Sequence, residues 1–243
     1  MKLLNVAMPR ALQFGSVVLA TGLLVACGGG GSSSDSTVKG TAAVGAAMSN
    51  AAIQLSCKNG SGGATADANG AYSATFKFDG PCAITATSAS STIHSFASGG
   101  GNYNVTPLTQ LLLSYIAGQL GTSVDALLAG ISTNASYQGA LTNSTLISNA
   151  ENGVAQLLSK MYGVTLSTNS FLTASFTPGQ PGADADLDTL MSVGAIGSDG
   201  QPAASLTTAA QAAGAVAAGS AGSTSGSTGP TGGSGGTGAS TTR

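Results

Sequence analysis

Asn69-Gly70-Ala71-Tyr72-Ser73-Ala74-Thr75-Phe76-Lys77-Phe78-Asp79-Gly80-Pro81 is the stretch on which the fold of this chain turns. Tyr72, Ala74, Phe76 and Phe78 fall at every second position, so an extended backbone puts all four on one face. Asn69-Gly70 before them and Asp79-Gly80-Pro81 after them supply the turn chemistry that tight reversals need. The same alternation recurs upstream in Ile53, Leu55 and Cys57, ahead of Asn59-Gly60, and downstream in Cys82, Ile84 and Ala86. Short alternating runs between turn residues predict a small antiparallel sandwich of six or seven strands over residues 38–98. About 60 residues bury only a limited share of their surface, so such a core gains from a covalent staple.

The chain starts with Lys2 and Arg10, then an apolar run of 16 residues, Ala11 to Ala26. A membrane-spanning helix needs about 20 such residues, so the run fits a secretory leader better than a span. Leu24-Val25-Ala26-Cys27 resembles the lipobox of bacterial lipoproteins. That resemblance implies cleavage after residue 26, lipid (palmitate among its chains) on Cys27, and anchoring through that residue; a chance cysteine after an ordinary cleaved leader is the plainer alternative. Residues 27–37 then read as a flexible Gly/Ser tether. Gly28 stands where the class places Asp for inner-membrane retention, which points to the outer membrane. In an exported chain the remaining Cys57 and Cys82 read as a disulfide, with two free buried thiols as the other possibility. A bond between them closes a loop of about 25 residues and adds about 3 kcal/mol by chain entropy.

The stretch Thr65-Ala66-Asp67-Ala68-Asn69-Gly70-Ala71-Tyr72, with Val38-Lys39-Gly40 and Asn50 to Leu55 before it, resembles the carboxypeptidase-regulatory-like (transthyretin-like) β-sandwich. The resemblance covers about 50 residues. It implies that Asp67 and Gly70 build a hairpin turn, that Tyr72 enters the core, and that the module is non-catalytic: a spacer, adhesive or docking unit. Cys82 departs from it, standing near the place where the family often carries Tyr.

Residues 99–200 read as mainly helical. Thr106-Pro107 offers an N-cap and an N1 proline to a helix whose apolar face is Leu108, Leu111, Leu112, Tyr115, Ile116 and Leu120, ended by Gly121. A short helix through Val124, Leu127 and Leu128 follows. Another follows Ser144, with Leu146, Ile147, Ala150, Val154, Leu157, Leu158 and Met161 recurring at helical spacing and Gly163 as its stop. Residues 201–243 are nearly all Ala, Gly, Ser and Thr and are expected to stay disordered, with at most a transient helix over Ala203 to Ala218, because they offer little apolar surface against the entropy of ordering. The fold class expected is therefore α+β: a transthyretin/Ig-like sandwich, a helical region and a disordered tail.

Charged residues make up 7% of the chain. Without Lys2 and Arg10, five basic residues face nine acidic ones, a balance that excludes the basic footprint of a nucleic-acid binder. The only histidine, His94, lies in a strand-like run opposite Ile93 and is expected to face solvent. No Gly-x-Ser-x-Gly, Ser-x-x-Lys, Cys/His pair or phosphate loop occurs, and one His with two cysteines does not furnish a zinc site. Asp184, Asp186 and Asp188 alternate as weak calcium ligands do, but Thr189 and Ala195 break an EF-hand register starting at Asp184. Capping of a short helix through Leu187, Leu190 and Met191 is the competing account. No cofactor, catalytic residue or metal ligand is assigned. The expected role is a non-enzymatic, lipid-anchored envelope protein with envelope proteins or glycans as partners. The rivals are an enzyme or accessory subunit acting on envelope polymers, with His94 and the acids at 184–188 as its groups, and a lipoprotein chaperone using uncharged helix faces.

Overall fold

A computed structural model describes residues 35–222 of the protein. The leader 1–26, Cys27, most of the tether and residues 223–243 lie outside the described residues. The class is α+β, with seven strands in two sheets and six helices among the described residues. The first sheet runs β4 (Ala71–Lys77), β1 (Asp35–Thr41) and β7 (Gly101–Asn102). The second runs β3 (Ser61–Thr65), β2 (Ala52–Cys57), β5 (Cys82–Thr87) and β6 (Thr92–Ala97). All pairs are antiparallel except β1 with β7. The β region thus starts at Asp35, inside the expected tether, and ends past residue 98, because β1 needs both β4 and the late strand β7 to fill its hydrogen bonds.

The alternation translates into burial. Ile53, Leu55 and Cys57 on β2 meet Ala86, Ile84 and Cys82 on β5, all covered; Ala52, Gln54 and Ser56 between them are exposed. Val38 opposes Ala74, and Gly40 opposes Tyr72, in the other sheet. Tyr72 is buried, and its hydroxyl donates to the Tyr103 carbonyl at 2.5 Å. The Asp67 turn is differently used from the hairpin that the resemblance implies. Asp67 Oδ1 accepts from the Asn69 and Ala71 amides, but the strands on either side join different sheets, so the turn carries the chain across. Cys57 and Cys82 sit directly opposite and are disulfide-bonded. Beside them the Lys58 amide donates to the Pro81 carbonyl, and Asn59 Nδ2 donates to Asp79 at 2.6 Å, so the two turns close onto each other.

Helix α1 (Pro107–Gln119) is the centre of the molecule. Thr106 and Thr109 form a reciprocal capping box, with Pro107 at the start. The expected one-sided apolar face is exceeded: Pro107 to Gly118 are buried except Gln110. The segment carries no charge, and a helix apolar all round finds its place inside. Leu111, Leu112, Leu113 and Ile116 are fully covered, each contributing about 1.5–3 kcal/mol by leaving water. Helices α2 (Val124–Ala129), α3 (Ala135–Thr142), α4 (Ser144–Tyr162) and α5 (Ala183–Ser192) follow. Ser123, Asn134 and Asn143 cap α2, α3 and α4, and α4 ends at Gly163 with φ 70°. Gly153, a weak point for an isolated helix, lets α4 lie against Tyr115: a Cβ there would stand 2.5 Å from the Tyr115 ring.

Residues 204–222 correct the expectation of a disordered tail from 201 onward. They form α6 (Ala204–Gly222), packed along α1. Leu206 and Ala210 are fully covered. A Cβ on Gly118 would meet the Gln211 carbonyl oxygen at 1.9 Å, and one on Gly214 the Tyr115 carbonyl oxygen at 2.0 Å. The two backbones touch, so the contact area comes from the main chain rather than from large side chains. Composition undervalues a helix of this kind because it counts apolar side chains. Strands and helices contribute to one continuous hydrophobic cluster.

Candidate functional site

Helix α1 packs along β6, and the chain returns to the same strand just before α6. Between β6, α1, the start of α2 and residues 199–207 lies an open cleft of about 430 Å³. His94 lines it from β6, Gln110 and Ser114 from α1, Asp125 from α2, and Asp199 and Gln201 from the last turn before α6. Ser90, Ser91 and Thr92 complete one wall, and Val124 and Thr207 the other.

The floor is a chain of hydrogen bonds. The His94 amide donates to Gln110 Oε1 at 3.1 Å, and Gln110 Nε2 donates to Gln201 Oε1 at 2.7 Å. Gln201 Nε2 then donates back to the Thr92 carbonyl at 3.0 Å and to Ser91 Oγ at 3.1 Å. Three segments far apart in sequence are thereby tied in a ring, with both carboxamides held in one orientation. Ser114 Oγ donates to the Gln110 carbonyl, and Thr109 Oγ1 lies 3.3 Å from the His94 carbonyl, to which it donates. Asp199 Oδ1 accepts from the Gln201 amide at 3.0 Å. The rim acids Asp125 and Asp199 are exposed, whereas the floor is half-buried or buried.

His94 differs from its expected place in solvent: it is half-buried because α1 covers the outer side of β6. Nδ1 lies 3.2 Å from Thr85 Oγ1. Burial lowers its pKa below the usual imidazole value, with the Asp125 carboxylate acting in the opposite sense. The ring is therefore neutral at pH 7 and can offer one donor and one acceptor.

The acids at 184–188 go elsewhere. Gly182, with no side-chain cap bond, begins α5, so neither Asp184 nor Asp186 is its N-cap. Asp184 is buried and accepts from the Gly179 amide at 2.6 Å, while Asp186 accepts from the Ser167 amide and hydroxyl. Each pins a different part of the 164–182 loop, and Asp188 is exposed. No three His, Cys, Asp or Glu among the described residues are grouped to hold one metal ion.

A second recess of about 320 Å³ lies between α4 and the 170–173 turn, with Glu151 and Tyr103 in its lining. Glu151 is buried and accepts from the Leu172 amide at 2.9 Å. Burial raises its pKa, partly offset by that bond. Asn104 holds the same turn from the other side, donating to the Phe171 and Ala174 carbonyls and accepting from the Thr41 amide. This recess is a fastening for the loop.

Of the groups singled out in the sequence, only His94 lies in the cleft. Gln110 could have been suspected as the one amide in the first turns of an otherwise apolar helix. Gln201, Asp125 and Asp199 carry no local signal, since only tertiary packing brings them together. No family model, no curated protein and no solved structure matches the chain.

Proposed function

We propose that this is a lipid-anchored protein of the bacterial cell envelope, held in the outer membrane through Cys27, whose role is to bind and not to catalyse. Its β region acts as a transthyretin/Ig-like sandwich that carries the helices and their cleft. The observation that carries the binding reading is the hydrogen-bonded ring of His94, Gln110, Gln201 and Thr92. Its polar groups are engaged with one another and fixed, which suits recognition by a preformed surface. His94 Nδ1 faces the Thr85 hydroxyl, Asp184 and Asp186 hold the 164–182 loop and Asp188 is exposed, so the groups that an enzyme reading would combine lie apart in separate settings.

The anchor is tested by growing cells with an alkyne-tagged fatty acid and following the label. Labelling and outer-membrane fractionation that vanish in Cys27→Ser are expected. An unlabelled wild-type protein overturns the anchor. Chemical turnover by the purified protein that is lost on changing His94 or Asp125 overturns the non-catalytic role.

A further inference from the structure

We propose that the cleft takes a hydroxyl-bearing sugar residue without negative charge, held by the Gln110 and Gln201 amides on its floor and by Asp125 and Asp199 on its rim. This rests on the binding role proposed above and names its ligand class. Ten of the eleven lining side chains carry nitrogen or oxygen, the exception being Val124, and none is Lys or Arg. These groups favour a ligand that can hydrogen-bond, and an anionic one would meet two carboxylates with no cation to offset them. Sugar hydroxyls both donate and accept, which suits a lining of carboxylates, carboxamides and hydroxyls. The volume of about 430 Å³ lies within the usual range for small-ligand sites.

The free valences have the right character. Gln110 Nε2 uses one of its two protons on Gln201, leaving the other for a ligand oxygen. Gln201 spends both amide protons on Ser91 and Thr92, and its carbonyl oxygen, which already accepts from Gln110, keeps one lone pair for a ligand hydroxyl. Asp125 takes no hydrogen bond from a described residue, and Asp199 commits one oxygen to the Gln201 amide. Thr207 and Val124 also line the cleft, and both carry methyl groups, the kind of surface against which the C–H face of a sugar ring rests.

The test titrates the full-length protein in detergent micelles, by calorimetry, with three trimers: neutral N-acetylated chitotriose, its amino form and acidic trigalacturonate. Saturable binding of the neutral or amino trimer, with none of the acidic one, is expected. The double change Asp125→Asn and Asp199→Asn should weaken it at least fivefold, and Thr207→Ser, which removes the methyl and keeps the hydroxyl, should weaken it to a smaller extent, with the thermal midpoint of each variant confirming its fold. Three results would overturn the proposal: no trimer binds, the acidic trimer binds as well as the others, or both sets of variants bind unchanged. Failure here with Cys27 labelling intact removes the sugar and leaves the anchored protein standing. Trimer hydrolysis during the titration keeps the site and removes the non-catalytic role.

Discussion

The two sheets and the α1–α6 pair solve one packing problem in opposite ways. The sheets interlock side chains: Ile53, Leu55, Ile84 and Ile93 on paired strands cover one another in fixed register. The helix pair removes side chains, and Gly118 and Gly214 let one backbone rest on the other. The first strategy leaves a strong imprint on sequence, because each buried residue must be large and placed at every second position. The second leaves little, because Ala, Gly, Ser and Thr are also what unstructured chains are made of. Between these regions stands the outer side of the second sheet, exposed at β2 and progressively covered toward β6, where Phe96 is fully buried.

Phe96→Ala should have the largest effect on stability, about 4 kcal/mol, since a fully covered aromatic leaves a cavity that its neighbours fill only in part. Urea denaturation should show sheets and helices unfolding together; a separate early transition would break the single cluster into two units. Gly118→Ala should cost about 3 kcal/mol by forcing α6 off α1. Here hydrogen exchange should rise across 204–222 while the strands stay protected. Equal protection in variant and wild type would mean that the backbones do not touch. Reducing Cys57–Cys82 should cost about 3 kcal/mol, read as a lower denaturation midpoint, with its effect centred on β2 and β5.

Two smaller effects depend on pH. Glu151 has a raised pKa in the folded protein, so it is more readily protonated there than in the unfolded chain. Its contribution is complete below the ordinary carboxyl range and is lost as pH rises through the folded value. Glu151→Gln keeps an acceptor for the Leu172 amide and should therefore gain on the wild type between pH 4 and pH 7. Glu151→Ala leaves that amide unpaired and should cost about 2 kcal/mol at pH 4. His94 is opposite in sign. Its lowered pKa means that the unfolded chain takes up the proton first, so stability falls as pH drops below about 6.5. His94→Gln should flatten that slope; an unchanged slope would place the titrating group elsewhere.

The strands were legible because Tyr72, Ala74 and Phe76 alternate and Asn59-Gly60 and Asn69-Gly70 mark the reversals, both with positive φ at the glycine. Helix α1 was legible from Thr106-Pro107, whose capping box forms as local chemistry dictates. Helix α3 was missed because Ala135 to Thr142 has only Ala140 and Leu141 covered, too few for a periodic signal. Helix α6 was misread because its partner is the bare backbone of α1. His94 was placed in solvent since alternation tells which face of a strand it shares, but not that a helix covers that face.

Sequence alone determined the elements whose cause is local: alternating strands, glycine turns, the Thr106-Pro107 helix start, and the pair of cysteines available to staple the β region. Each follows from steric and hydrogen-bonding preferences acting within a few residues. Tertiary structure alone decided that the Asp67 turn crosses between sheets, that residues 204–222 are helical, and that His94, Gln110, Asp125, Asp199 and Gln201 share one cleft. Those outcomes depend on which groups find partners far away in the chain, as the Gln110 and Gln201 side chains do across 91 positions, and no local preference encodes such a meeting.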